Sequence, residues 1–120
     1  MSKYAVVSTE YADLQCLVNA LEKMYGKGKV EHGRLIAFGY NGQQQPADLV
    51  VRRDVCGGYG DLAFRKGQNG KYQMIKDDLL KFPHSRLTRL YIEQYVRLRT
   101  HGKFRVLQAD DQKIELQVID

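Results

Sequence analysis

An α+β fold, with two helices packed on a mostly antiparallel sheet of six or seven strands, is what this sequence predicts. Three observations carry that reading. Short branched or alternating apolar runs recur along the chain, at Tyr4–Ser8, 35–38 and 47–53 among others. Only two stretches repeat apolar residues every three or four positions, the helical period. Asn69-Gly70 separates two strand-like runs, a strong short-range hairpin signal.

The elements follow in order. Tyr4–Ser8 is short and rich in valine, as a strand is. Leu14, Leu17, Val18, Leu21 and Met24 fall on one face of a helix over about 10–25, with Ser8 or Thr9 as N-cap and Gly26 as stop. Residues 35–38 read as a buried strand ending at Gly39, and 47–53 as the next strand. Residues 54–60 read as a loop that pivots on Gly57-Gly58. Residues 62–66 and 71–75 flank the Gly67-Gln68-Asn69-Gly70 turn, and Asp77-Asp78 opens a connector to Pro83. The second helix starts at Pro83 or His84, since proline suits a first helical position, and runs to about Thr100 with Gly102 as its end. Its expected buried stripe is Leu87, Leu90, Tyr91, Tyr95 and Leu98. Phe104 and Val106, then Ile114, Leu116 and Val118, alternate around Asp110-Asp111 as a closing hairpin.

At 120 residues the chain suits one domain with one core. No apolar run approaches the roughly 20 residues of a membrane helix, and the first residues lack a signal peptide's apolar core. Cys16 and Cys56 are 40 positions apart and form no metal-type pair, so free thiols in a reducing, cytoplasmic compartment are expected. Net charge is +5, concentrated between 52 and 105, where thirteen Lys/Arg face five Asp/Glu. Such a middle suits an anionic partner such as nucleic acid, or simply a solvated surface.

The candidate chemistry is thin. His32, His84 and His101 have no second ligand at metal spacing, and no metal or other cofactor is expected. Cys16 lies beside the apolar stripe of the first helix and reads as core. Cys56 stands in a glycine loop with Arg52 and Arg53 nearby to lower its pKa, but no activating base is in view, so catalysis is not expected. Gly57-Gly58-Tyr59-Gly60 lacks the Lys-Ser/Thr of a phosphate loop. Asp48 enters a strand, where aspartate is disfavoured. It either ties down the backbone of the 41–46 loop or lines a polar binding site with Tyr40 and Arg52, since strand alternation puts 48 and 52 on one side. Arg86, Arg89 and Arg97 face away from the second helix's apolar stripe. With Lys103, and helped by Lys81 and Arg105, they form an alternative, phosphate-contacting surface that Glu93 interrupts. Tyr40, Tyr59 and Tyr72 are the tyrosines expected to be exposed.

One resemblance is specific. Gly39-Tyr40-Asn41-Gly42-Gln43, leading through Pro46 into Ala47-Asp48-Leu49-Val50-Val51-Arg52, resembles the hypothetical chloroplast reading frame thirty-five family. These are small proteins of plastids, cyanobacteria and other bacteria with no established activity. Asp13-Leu14 before this segment, and Asp61-Leu62-Ala63-Phe64, Lys71-Tyr72-Gln73-Met74-Ile75 and Asp78-Leu79 after it, keep the family's order. The longer 54–60 loop, a shorter last helix and Asp110-Asp111 in place of Asp-Gly mark a divergent branch, of the kind a mobile or viral genome carries. The leading expectation is a non-enzymatic interaction module, an adaptor for another protein, and the resemblance adds only, by analogy, an AAA-type ATPase as its company. It allows plastid stroma or a viral host's cytosol as the compartment. A nucleic-acid binder using the basic 81–105 region is the alternative.

Overall fold

Five strands form one antiparallel sheet in the order β1-β5-β4-β3-β2, and a separate ladder pairs β6 with β7. The strands are β1 (Tyr4–Ser8), β2 (Glu31–Phe38), β3 (Gln44–Val51), β4 (Leu62–Lys66), β5 (Tyr72–Asp77), β6 (Lys103–Ala109) and β7 (Ile114–Ile119). The helices are α1 (Leu14–Tyr25), the single turn α2 (Arg53–Cys56) and α3 (His84–Thr100). This computed structural model describes residues 3–100, 103–109 and 114–119. The expected single sheet of six or seven strands is therefore corrected to five strands, with the last two apart. A hairpin satisfies the facing backbone groups of its own two strands and needs no place in the larger sheet. The expected helix stop at Gly102, the Asp110-Asp111 turn and His101 lie outside the described residues.

One face of the sheet carries the main core. Leu49, Val51, Leu62, Phe64, Tyr72 and Met74 meet Leu17 and Leu21 of α1 and Leu87 and Tyr91 of α3. Each such side chain contributes roughly 1.5–3 kcal/mol by leaving water. Helix α1 starts four residues later than the apolar spacing predicts. Tyr11 is drawn into the core, its ring 4.8 Å from that of Tyr91 and its hydroxyl 2.8 Å from Thr88 Oγ1. Asp13 then caps the helix by accepting the Cys16 amide at 2.9 Å. The expected cap Thr9 instead donates to the Tyr72 carbonyl. The Tyr91 hydroxyl accepts the amides of Ala12 and Asp13 at 3.1 and 3.0 Å, so α3 fixes where α1 begins.

The buried stripe of α3 is Leu87, Tyr91 and Gln94. Tyr95 and Leu98, expected in the core, are 43% and 48% exposed. A helix of 17 residues is about 25 Å long and one of 12 about 18 Å. The last turns of α3 outrun their packing partner. Tyr72, expected at the surface, is buried in the core because β5 turns it toward the helices.

The second face is covered by the chain's own β2–β3 hairpin. Phe38 pairs with Gln44 at the hairpin's far end, and Val51 pairs with Leu62 at its base. Straight strands would hold these points about 23 Å apart. Yet Phe38 exchanges hydrogen bonds with Asp61, beside Leu62: its amide donates to Asp61 Oδ2 at 2.9 Å and its carbonyl accepts the Asp61 amide at 2.8 Å. The hairpin therefore doubles back over the sheet. The fold occurs where the β2–β3 register slips between His32 and Leu35, at Gly33 with φ 128°. Mostly small side chains fill the space beneath: Ala37, Ala47, Val50 and Ala63 with Ile75, flanked by Tyr4 and Leu35. At the tip a Cβ on Gly60 would lie 2.8 Å from the Gly39 Cα, and one on Gly39 would lie 2.7 Å from the Tyr4 ring. Only glycine permits that approach.

Candidate interaction surface

Two buried aspartates organise the end of the molecule where the hairpin tip docks. Asp61 is 3% exposed. Its Oδ1 accepts the Arg53 amide at 2.9 Å, which opens α2, and its Oδ2 accepts the Phe38 amide and Arg52 Nη1, the latter at 3.0 Å. Its carbonyl accepts the Tyr4 hydroxyl at 2.6 Å. Arg52 also grips Glu31 with Nε and Nη2, at 2.7 and 3.0 Å, and donates from Nη1 to the Ile36 carbonyl at 3.0 Å. This two-pronged contact gives direction as well as attraction. Arg52 holds the Glu31 carboxyl below the usual carboxylate range, while burial, followed by the Asp61 charge, pushes the Tyr4 phenol well up. Together these groups latch the folded hairpin to the sheet.

Asp77 is the second organiser, 2% exposed. Its carboxylate accepts the Tyr59 amide at 3.2 Å and the Leu79 amide at 3.0 Å. Both side chains so anchored stand in solvent, Tyr59 at 60% and Leu79 at 59%. Phe38, anchored by Asp61, and its near neighbour Tyr40 are also exposed, and the Tyr40 and Tyr59 rings meet edge to face at 6.1 Å. Tyr40 sits in a short turn, Tyr40–Gly42, that the Gly39 amide closes onto the Gln43 carbonyl at 2.7 Å. The result is a patch of exposed apolar side chains on backbone that buried carboxylates hold in place.

Of the three residues expected to share a binding site, the structure brings Tyr40 and Arg52 to this end and leaves Asp48 elsewhere. Asp48 Oδ2 accepts the Lys66 amide at 2.8 Å. Neither expected partner set for Asp48, the 41–46 loop or Arg52, is the one it uses. The fold in the hairpin defeats simple alternation along β3, and beyond Leu49 the Asp48 carboxylate takes up a β4 amide that the β3 ladder no longer reaches. Arg86, Arg89 and Arg97 are exposed on α3 as expected, and Lys103 begins β6.

The Cys56 thiol is pushed up, chiefly by burial, against the expectation that Arg52 and Arg53 lower it. The Arg52 guanidinium is taken up by Glu31 and Asp61. Cys16 is fully buried, and no disulfide joins it to Cys56. Among the described residues no three His, Cys, Asp or Glu side chains gather as a metal site, and no helix is long and apolar enough to cross a membrane.

Asp61 and Asp77 escaped sequence reasoning as functional positions. The one signal was that each aspartate adjoins a short apolar run, Asp61 just before Leu62-Ala63-Phe64 and Asp77 just after Met74-Ile75 and Lys76. No family model, curated protein or solved structure matches this chain.

Proposed function

We propose that the chain is a non-enzymatic interaction module whose partner is another protein, bound through Phe38, Tyr40, Tyr59 and Leu79. The observation that supports this reading is the anchoring of exposed apolar side chains by buried carboxylates. Burying Asp61 and Asp77 costs desolvation that hydrogen bonds must offset. Here those bonds go to the backbone beneath the exposed residues. Rigid aromatic side chains with few rotatable bonds lose little entropy on binding and dominate interface energetics. The family resemblance adds an AAA-type ATPase as the partner class to try first, by analogy.

The test is affinity capture from host extract, with the wild type compared against Tyr40→Ser/Tyr59→Ser. The double variant should melt within a degree or two of the wild type, because neither ring belongs to the buried core, and should lose the captured partner. Equal capture by both proteins would count against the patch. The second reading is nucleic-acid binding by Arg86, Arg89, Arg97 and Lys103, supported by the exposure of the three arginines along α3. Replacing the three arginines with glutamine should then weaken oligonucleotide binding similarly across sequences and flatten its salt dependence by about three phosphate contacts.

A further inference from the structure

A cavity of about 510 Å³ opens where the β4–β5 turn meets the end of β1, away from the aromatic patch. Arg65, Lys66 and Lys71 line it, with Thr9, Gln68 and Asn69. The state of Arg65 is unusual. Its Nη1 donates to Gln45 Oε1 at 2.9 Å and its Nη2 to Gln73 Oε1 at 3.4 Å. Both acceptors are neutral amides. They fix the plane of the guanidinium without cancelling its charge. Arg52, by contrast, lies between two carboxylates and is neutralised.

The neighbours leave the cavity positive. Among the described residues no carboxylate comes within ion-pair distance of Arg65 or Lys66. Asp48, the nearest acid along the strand pair, accepts the Lys66 backbone amide. Lys71 does pair with Glu10, but Glu10 is 86% exposed, and such a pair is weak and easily exchanged for a stronger anion. The Asn69 side-chain oxygen accepts the Lys71 amide at 3.0 Å, so Asn69 has N–H donors left to offer. The sole aromatic lining residue, Tyr72, is 4% exposed and presents no ring for a base to stack on.

We infer that this cavity binds a phosphate-bearing ligand, with Arg65 as the fixed contact and Lys66 and Lys71 as mobile ones. A planar guanidinium held in place suits two phosphate oxygens at once. Without a stacking surface, recognition reads phosphate and not base. The same chemistry is presented by a free oligophosphate and by the backbone of single-stranded nucleic acid. This inference stands apart from the protein-binding patch at the other end of β4, and either can fail alone.

The test is calorimetric titration of the full chain with sodium tripolyphosphate and, separately, with a short single-stranded oligonucleotide. Wild type should bind tripolyphosphate. Arg65→Gln should weaken it by about tenfold or more and Lys66→Gln by a few fold, each with amide NMR shifts confined to neighbours of the substituted residue. Lys66 uses only its backbone in the fold, so Lys66→Gln tests the site even where Arg65→Gln disturbs Gln45 and Gln73. Oligonucleotide that competes with tripolyphosphate identifies a nucleic-acid backbone as the ligand; oligonucleotide that does not compete identifies the free oligophosphate. Absence of tripolyphosphate binding by the wild type overturns the inference. So does binding that survives both variants, or that falls only when Arg86, Arg89 and Arg97 are replaced.

Discussion

Arg52 and Arg65 stand at the two ends of β4 and are treated in opposite ways. Arg52 is clamped by Glu31 and Asp61 and closes the folded hairpin. Arg65 is held by the amide oxygens of Gln45 and Gln73 and keeps its charge. The residue type is the same and the partners decide the role. Where carboxylates surround an arginine, the charge is consumed in holding the fold together. Where amides surround it, the geometry is fixed and the charge stays available to a ligand. The lesson extends to the core: the helix-covered face is held by bulk, with Phe64 and five leucines fully buried, whereas the hairpin-covered face has three alanines, one valine and one isoleucine and depends on its polar latch.

The sharpest way to break the contrast is at Asp61. Asp61→Ala leaves Arg52 short of a partner and strands the amides of Arg53 and Phe38. It should cost about 3–5 kcal/mol in urea unfolding. A loss below about 1 kcal/mol would show that the small-residue layer holds itself. Asp48→Ala, at the other end, removes one acceptor from the Lys66 amide and should cost about 1–2 kcal/mol; an unshifted melting temperature would remove its structural role.

Glu31 gives a smaller, pH-dependent effect. Its folded pKa is depressed by Arg52, so its contribution is fully present above the ordinary glutamate value. That contribution is lost as pH falls through the lower folded value. Because Glu31 is 46% exposed, the amplitude should stay under about 1 kcal/mol. Acid titration of stability should show wild type above Glu31→Gln at higher pH, the gap narrowing through that window and closing below it. Smallest of all, Arg65→Gln should leave stability within about 0.5 kcal/mol of wild type. A large loss there would make Arg65 a second latch and erase the difference between the two ends.

Local patterns in the sequence determined much of this protein. The bounds of β1 and β4 follow from short apolar runs, the β4–β5 turn from Asn69-Gly70, and the end of α1 from Gly26. The exposed arginines of α3 follow from helical periodicity, and Tyr40 and Tyr59 at the surface from their polar, glycine-rich loops. Each of these rests on interactions within a few residues. What tertiary structure alone decided is everything that joins distant positions. Tyr91 sets the start of α1 across 78 residues of chain, and Asp61 holds Phe38 across 23. The folding of the β2–β3 hairpin moved Asp48 away from Arg52, although alternation along a straight strand puts them on one face. A carboxylate's role depends on which amides the fold carries to it, and neither residue type nor spacing encodes that.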